Sequence, residues 1–496
     1  MTEPSTSPPA TPTADGAPVR TGLVIGLLVV SAFVMILNET IMSLAIPHLI
    51  GDLAISASTA QWLTSGFLLT MAVVIPTTGF VLERFTVRQV YLAAMSLFSA
   101  GTVICALAPG FAVLLVGRVV QACGTAVMLP LLITTVMTLI PPHRRGATMG
   151  TISIVIAVAP AIGPTIAGAV LSALSWRFLF WVVLPLAVIA LIVGIVTMRL
   201  RTATRPVPLD VLSVVLSAVG FAGIVYGFSA IGASAEGDSG VPPWIPLVVG
   251  AVALVLFVVR QRRLEHEDRA LLNLQPFGVR AFVVEVVLAG LVFMALLGAG
   301  AVLLPFYLQN LLGTSAFTAG LAVLPGGLVL GLLGRPVGRL YDRFGARPLV
   351  IPGSIAMAVA LWLFALLGAG AALGLVIAVH ILLMASLGFM MTPLLTDALA
   401  VLPDRLYPHG SAIMTTIQQI AGAAGTAAFV AVAALGAANP LGAPDAPGLR
   451  LAFAAAGCVG VLGVVAALFV RPKRDQVSMD PEGPAKDDRE RAASQS

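Results

Sequence analysis

Apolar residues along this chain fall into long runs, each broken by charges, Pro or Gly. A helix needs about 20 apolar residues to cross the hydrocarbon core of a bilayer. The chain is therefore predicted to be an all-α integral membrane protein. The runs predict fourteen spans, near residues 22–46, 59–81, 89–108, 111–135, 147–172, 178–198, 209–231, 244–260, 280–307, 316–337, 348–368, 373–397, 410–434 and 450–470.

Composition points to the same class of protein. The chain is 59% hydrophobic and 10% charged, with a mean hydropathy of +1.04, whereas soluble domains carry roughly 25% charged residues. No soluble fold of 496 residues hides so much apolar surface, so membrane lipid is an expected partner. Nucleic acid is not expected, because the basic residues form short clusters between apolar runs rather than one patch.

The distribution of arginine predicts the orientation of the spans. In the fourteen-span topology nearly all basic clusters fall on one side, whereas Arg177 and Arg450 fall on the other and Arg118 lies inside a span. Because positively charged loops stay in the cytoplasm, both termini are expected there, in a multi-pass protein of the cell membrane. Residues 1–20 and 471–496 are predicted to be solvated tails, with no signal peptide at the start.

Metal, disulfide and enzymatic chemistry find no support in the sequence. The three cysteines all lie in apolar runs without a C-x-x-C pair, which predicts small buried side chains. The five histidines are scattered and no G-x-S-x-G motif occurs. We therefore expect no metal site, no cofactor and no enzymatic activity.

The two halves of the chain repeat one another. The segments GFVLERFTVR (Gly79–Arg88) and GRLYDRFGAR (Gly338–Arg347) both fit G-x-x-x-[DE]-R-F-x-x-R and lie 259 residues apart. Pro47 and Pro305 lie 258 residues apart. Duplicated halves that meet at a central substrate site are common among transporters. The predicted organisation is a tail (1–20), a six-helix bundle (21–205), two inserted transmembrane helices (206–265), a second six-helix bundle (266–470) and a tail (471–496).

The repeated segment resembles motif A of the major facilitator superfamily. In that family an acidic residue at a helix end contacts the neighbouring helix, which joins the two bundles on the cytoplasmic side. The second copy fits the family pattern better, so the contact is expected mainly from Asp342 and Arg343. Ordinary topogenic charges are the alternative. The residues predicted for this gating role are Gly79, Glu83, Arg84, Arg88, Gly338, Asp342, Arg343 and Arg347.

An arginine inside the fourth predicted span is the next candidate. The segment VGRVVQACGTA places Arg118 and Gln121 on one helix face and is similar to motif B of the same superfamily, whose Arg is implicated in proton transfer. An arginine at mid-helix costs at least about 2.5 kcal/mol on insertion scales, so a functional role is the default hypothesis. The alternative is that Arg118 joins helices without titrating.

The fifth predicted span resembles motif C, the antiporter motif. Its segment AVAPAIGPTIAG departs from the family pattern at Ala167, where Gly is usual. The resemblance implies export rather than uptake. The motif residues are Pro160, Gly163, Pro164 and Gly168.

Further matches narrow the resemblance. The segment SWRFLFWVVLP is similar to the outer start of the sixth span in the fourteen-span drug:proton antiporter branch, with Val183 in place of the usual Asn. Asp210 at the start of the seventh span also fits that branch, or simply caps a helix. The segments LNETIM and LYDRFGARPL most resemble the lincomycin-resistance-type subgroup of this branch.

Proton coupling requires a carboxylate in a partly dry site. Glu39 is the acid deepest in a span, and the family's first-span motif L-D-x-T-I-V-N-x-A-L-P places its carboxylate one residue earlier, where this chain has Asn38. One residue turns a helix position by about 100°. The residues predicted for proton coupling are Glu39, Arg118 and Asp397. For Asp397 a pairing with Arg405 is an alternative, and Glu285 is expected to reach the interface or Arg280.

The predicted substrate cavity collects polar and adaptable side chains from facing spans. Interhelical hydrogen bonds are the alternative role for the polar ones. The cavity residues are Asn38, Met42, Gln121, Thr415, Gln418 and Gln419.

The expected function is a proton-coupled efflux transporter, a drug:proton antiporter working by alternating access. Its substrates would be small drug-like compounds, largely apolar or cationic, and a monomer suffices because one chain encloses the pathway. Alternatives with the same fold are an exporter of an endogenous metabolite or lipid and a solute uptake symporter. No coupling ion other than the proton is expected.

Overall fold

The fold is described from a computed structural model. It covers residues 21–55, 57–198, 204, 208–235, 242–267, 269–436 and 445–472. The tail predicted at residues 1–20, and residues 473–496 of the second predicted tail, lie outside these ranges.

The first half of the chain forms six spans. Its second span consists of two helices joined by a 3-10 turn at Ile75–Thr77, where Pro76 interrupts the helical hydrogen bonds. The helices are α1 (Thr21–Leu53), α2 (Ala57–Val74), α3 (Thr78–Arg84), α4 (Val87–Ala106), α5 (Phe111–Leu139), α6 (Pro142–Ala173) and α7 (Arg177–Thr197). Helix α4 begins at a capping box, in which Thr86 and Gln89 satisfy each other's backbone amides.

The second half forms another six spans, of which the first changes its winding twice. After α10 (Arg280–Phe293) the helix continues as a π-helix over Met294–Leu303. A second π-helical segment, Tyr307–Leu311, follows the short α11 (Leu304–Phe306). Ser315 caps the start of the next helix, and Gly345, at a φ of 81°, ends it. The helices are α10 (Arg280–Phe293), α11 (Leu304–Phe306), α12 (Ala316–Phe344), α13 (Arg347–Leu366), α14 (Leu373–Ala400), α15 (Tyr407–Gly436) and α16 (Ala446–Ala467).

The span count agrees with the sequence. Among the described residues, thirteen helical segments are long and apolar enough to cross a membrane. Helix α6, with 32 residues, is a further span, which packs against α1 and α12. With α6 the described chain has the fourteen predicted spans and an all-helical architecture.

Helices α8 (Val211–Ala235) and α9 (Trp244–Glu265) are the two inserted spans. They pack on each other, and α8 also contacts α2 of the first half and α15 of the second. Asp210, just before α8, accepts two hydrogen bonds from Arg260 of α9, at 2.7 and 2.8 Å. It also accepts from the backbone amide and hydroxyl of Ser213. Asp210 thus joins the two helices as well as capping α8.

These hydrogen bonds, that of the Arg260 guanidinium foremost, hold the pKa of Asp210 below its ordinary value. Their contribution to stability is therefore present above the unfolded-state pKa of about 3.9. It is lost as the pH falls through the lowered pKa of the folded protein. We expect Asp210→Asn to lower the thermal unfolding midpoint at neutral pH, with a smaller difference from wild type in strong acid. Asp52→Asn, at an exposed carboxylate, is the control.

The two halves are joined at one end, which we call the basic end because Arg84, Arg145 and Arg343 lie there. Several hydrogen bonds and an ion pair link the two halves in the half of the molecule next to this end. The links are Glu83–His409, Arg145–Tyr407, Asp342 with Gly146 and Ala147, Thr134–Ser411 and Ser153–Thr392.

Glycine makes the contact between α6 and α12 possible. A Cβ added at Gly150 would lie under 3.0 Å from the carbonyl oxygen of Gly334, and one added at Gly338 would meet that of Gly146 in the same way. Small residues let helix backbones approach this closely in membranes. The basic end is therefore closed by direct backbone packing in addition to its polar contacts.

Candidate functional site

Arg118 is the centre of the polar cluster inside the first half. It is 1% exposed, its Nε donates to the carbonyl of Leu63 at 3.4 Å, and its guanidinium lies 4.1 Å from the centre of the Phe67 ring. A second donor, Nη1, bonds Oε1 of Gln121 at 3.1 Å. A buried charge is tolerated only with such partners. Helix α2 supplies two of them, which the sequence of α5 alone does not reveal.

Gln121 links three helices through its side-chain amide. Its Oε1 accepts from Arg118 and, at 3.4 Å, from the amide of Asn38 on α1. Its Nε2 donates to the hydroxyl of Thr102 on α4 at 2.8 Å. Gln121 therefore holds Arg118 and Asn38 in a fixed relation to each other.

Glu39 lies beside Asn38 in the middle of α1. It is half-buried and interacts electrostatically with Arg118. Asn38 is 3% exposed and contacts the same α5 through Gln121. Asn38 and Glu39 thus interact with neighbouring residues of α5, Gln121 and Arg118, although their positions on α1 differ by about 100° around the helix axis. The structure brings Glu39, Asn38, Arg118 and Gln121 together.

Replacing the linking amide tests this network. Gln121→Leu would leave the amide of Asn38 and one donor of Arg118 without an acceptor in a buried place, which costs about 1–3 kcal/mol for each group. We expect a marked fall in the thermal unfolding midpoint of the purified protein. Gln418→Leu, at a half-buried glutamine with no hydrogen bond within the described residues, should change the midpoint much less. Equal midpoints would contradict the role given to Gln121.

The predicted cavity residues of α15 lie apart from this network. Thr415 is 6% exposed and donates back to the carbonyl of Ser411 in its own helix at 2.9 Å, rather than to another helix. Gln418 and Gln419 are half-buried, and Met42 on α1 is 2% exposed. Their role in a substrate cavity stays a prediction.

The second copy of motif A contacts the first half directly. The carboxylate of Asp342 accepts from the backbone amides of Gly146 and Ala147, each at 2.8 Å. Those amides lie in the second turn of α6, which begins at Pro142, near the helix end that favours negative charge. Asp342 thus holds the start of α6 against α12.

The first copy makes a matching contact by a different route. Glu83 pairs with Nε2 of His409 on α15 at 3.1 Å, while Nδ1 of His409 accepts from the backbone amide of Asn273 at 3.2 Å. Gly79 leaves room for this imidazole, because a Cβ there would lie under 3.0 Å from it. The prediction that the contact rests mainly on Asp342 is therefore incomplete. Sequence reasoning missed His409, because nothing in the segment around it indicates a partner in the other half of the chain.

The remaining basic residues of motif A have local roles. Arg84 lies near the rings of Phe80 and Phe85, and Arg343 near that of Phe344. Arg88 donates to the carbonyl of Ile195 at 3.1 Å and so joins α4 to α7. Arg347 is exposed and opens α13. The glycine Gly338 serves the close approach to Gly146 described above.

Motif C lies on α6, facing α1 at one position. A Cβ at Gly163 would lie under 3.0 Å from the hydroxyl of Thr40, next to Glu39. Pro160 and Gly168 are exposed, and Gly168 has open space around it. Pro164 lies within the same helix, but its side chain is outside the described part. Among the motif residues whose surroundings are described, Gly163 lies against Thr40 beside the site.

Asp397 lies apart from Glu39 and Arg118. It is 1% exposed in α14, near the basic end of the second half, and accepts a hydrogen bond from Tyr341 at 2.9 Å. Arg405 donates instead to Gln275. Glu285 is also 1% exposed and interacts with Asp397, so it does not reach the interface as expected. The carboxylates predicted for proton coupling therefore occupy two separate places.

Comparisons with known proteins bear on this site. A family model described as Major Facilitator Superfamily matches residues 28–426. The chain is 40% identical to the lincomycin resistance protein LmrB of Bacillus subtilis over 90% of this chain and 94% of that protein. It is 28% identical to a multidrug resistance protein B homolog of Mycobacterium tuberculosis, over 81% of this chain and 74% of the relative.

Solved structures share the fold. The human organic anion transporter MFSD10 superposes with a TM-score of 0.62 at 14% identity, over 90% of this chain and 99% of that one. The proton:xylose symporter XylE superposes with a TM-score of 0.63 at 17% identity, over 91% and 96% of the two chains.

Proposed function

Because this chain belongs to the major facilitator superfamily, a family of membrane transporters, we propose that it is a proton-coupled exporter of small drug-like compounds that works by alternating access. The observation that carries the proposal is that half-buried Glu39 lies within electrostatic reach of fully buried Arg118, whose partner Gln121 also binds the neighbouring Asn38. A carboxylate placed in this way can exchange a proton while the arginine stays charged.

The coupling follows from the charges of this pair. With Glu39 ionised, its charge balances that of Arg118, and the carboxylate is also available to a cationic or hydrogen-bonding substrate. With Glu39 protonated, this attraction is lost and the balance between the two openings of the pathway changes. Proton and substrate thus compete for one carboxylate, which is the requirement for antiport.

The orientation in the membrane and the direction of transport rest on the arginines of the basic end and on motif C. The excess of arginine there supports a cytoplasmic location of this end and of both termini, in the cell membrane. The closed contacts at that end then correspond to the state that faces outward. The motif C packing of Gly163 on Thr40, beside Glu39, supports export over uptake.

The substrate class rests on the relatives. Drug or antibiotic resistance proteins are similar to this chain over most of its length. A site with few charged groups, such as that around Asn38, Glu39 and Gln121, suits compounds that are largely apolar or carry one positive charge. The uptake-symporter alternative has no comparable support, because the likeness to XylE at 17% identity concerns the fold.

The test is transport by the purified protein in liposomes with an imposed pH gradient. With the substrate-accepting side alkaline and the opposite side acidic, we expect lincosamides and a panel of cationic drugs to be moved against their gradient, with protons moving the other way. Collapse of the pH gradient should stop accumulation. Downhill movement alone, unaffected by pH, would overturn proton coupling, and failure to move any compound of the panel would overturn the exporter proposal.

A further inference from the structure

A pair of carboxyl groups is buried in the second half, away from Glu39. Glu285 of α10 and Asp397 of α14 are each 1% exposed and joined by a side-chain hydrogen bond. Tyr341 of α12 donates a further hydrogen bond to Oδ1 of Asp397 at 2.9 Å. Oε2 of Glu285 has no hydrogen-bond partner within the described residues.

Two carboxylates can share a hydrogen bond only if one of them carries a proton. Two buried negative charges in contact would repel each other in a place with little water, so the pair retains one proton between its two groups. The vacant Oε2 of Glu285 fits a protonated carboxyl group, since an ionised oxygen without a donor is costly inside a protein. The pair therefore titrates as one unit.

No basic side chain of the described residues is placed to neutralise Glu285. The charged and titratable groups at the basic end, on the helices packed around the pair, are Arg280, Tyr341, Asp342, Arg343, Arg347 and His409. Of these, His409 is engaged with Glu83, and Arg280 lies over the ring of Phe469. Tyr341 donates to Asp397 and so favours the ionised form of that carboxyl group, which leaves the proton of the pair on Glu285.

The pair adjoins the contact that closes the basic end. Tyr341 directly precedes Asp342, whose carboxylate accepts from two backbone amides near the start of α6. Val286 and Ala398, each next to a member of the pair, belong to one apolar cluster with residues of the first half. Separation of the two halves at this end would therefore bring water to the pair.

We propose that Glu285 and Asp397 form a second proton-binding site, which holds a shared proton while the basic end is closed and releases it when that end opens. The site rests on the proposed function only in that its proton would add to the one on Glu39 in each transport cycle. Proton binding itself needs neither substrate nor transport.

By linkage, acid should favour the closed basic end. A single shared proton changes the ratio of closed to open protein by at most about tenfold per pH unit. Glu285→Gln supplies a permanent donor to Asp397, so it should stay closed at every pH. Tyr341→Phe, a smaller change, should keep the response but shift it to lower pH, because it removes one hydrogen bond that supports the closed pair.

Two measurements on the full chain in lipid nanodiscs test the proposal. Infrared difference spectra across an acid titration should show the carbonyl band of a buried protonated carboxyl group, and this band should disappear in Glu285→Gln. Distances between spin labels at Thr138 and Asp404, exposed in the two halves at the basic end, should shorten in acid in the parent protein but not in Glu285→Gln. Glu267→Gln, at an exposed acid, should behave as the parent in both.

The outcomes separate this site from the proposed coupling at Glu39. The band and the distance response should persist in Glu39→Gln, whether or not that variant transports. If Glu285→Gln does not fold, Tyr341→Phe decides: an unshifted pH response would overturn the proposal. Two results for Glu285→Gln would also overturn it: retention of the carboxyl band, or a distance response to acid equal to that of Glu267→Gln.

Discussion

Replacing Glu39 by Gln is expected to abolish proton-driven accumulation of substrate while leaving exchange of substrate across the membrane intact. Gln keeps the size and hydrogen-bonding capacity of the side chain but cannot carry the proton or balance Arg118. The pathway can still alternate with substrate bound, because that movement needs no net charge change on residue 39. Accumulation driven by a pH gradient should fall to the level of empty liposomes, measured beside counterflow of labelled substrate.

The neighbouring residue offers a sharper version of this experiment. Asn38→Asp combined with Glu39→Gln moves the carboxylate to the position that the family motif uses. Because Asn38 and Glu39 both act on the Arg118–Gln121 group, we expect partial recovery of proton-driven accumulation in the double variant. Glu267→Gln serves as the control with full activity. Accumulation by Glu39→Gln equal to that of the control would show that another group carries the proton.

The sequence was sufficient for the architecture because the lipid solvent imposes it. Long apolar runs must form helices in a bilayer, where every backbone amide has to be satisfied within its own segment. Helix α6 is one of these runs, and it packs against α1 and α12.

The cluster around Arg118 could be predicted in part. The spacing of Arg118 and Gln121 places them on one face of α5, and the structure has them in contact. Their partners on other helices, the carbonyl of Leu63 and the hydroxyl of Thr102, follow from packing between segments far apart in the chain. No periodicity within one helix carries that information.

The same reason explains the contacts that sequence reasoning missed at the basic end. Glu83 and His409 lie in different halves, and nothing in either segment indicates the other. The pairing of Asp397 with Glu285 and Tyr341 joins three helices of the second half, whereas the sequence suggested Arg405 because it is close along the chain. Local partners are the natural guess from sequence, and tertiary packing replaced them here.

The close approach of α6 and α12 leads to the second large effect. Gly150→Ala is expected to prevent closure of the basic end, because its Cβ would lie under 3.0 Å from the carbonyl oxygen of Gly334. Backbone atoms cannot move aside as a flexible side chain does. Overpacking of this kind costs about 1–3 kcal/mol, which corresponds to a loss of roughly 5- to 150-fold in the ratio of closed to open protein.

Helix α12, which α6 contacts at Gly150, provides a matched control for this variant. A Cβ at Gly327 meets nothing within 4 Å, so Gly327→Ala changes helix propensity as Gly150→Ala does but adds no clash. Spin-label distances between Thr138 and Asp404 should lengthen in Gly150→Ala only, and its transport should fall in proportion to the lost closed state. Indistinguishable distances in the two variants would mean that closure of the basic end does not depend on the backbone contact between α6 and α12. Since Asp342 accepts from backbone amides of α6 near its start, loss of the glycine contact should also weaken these bonds, which makes Asp342→Asn less harmful in the Gly150→Ala background than in wild type.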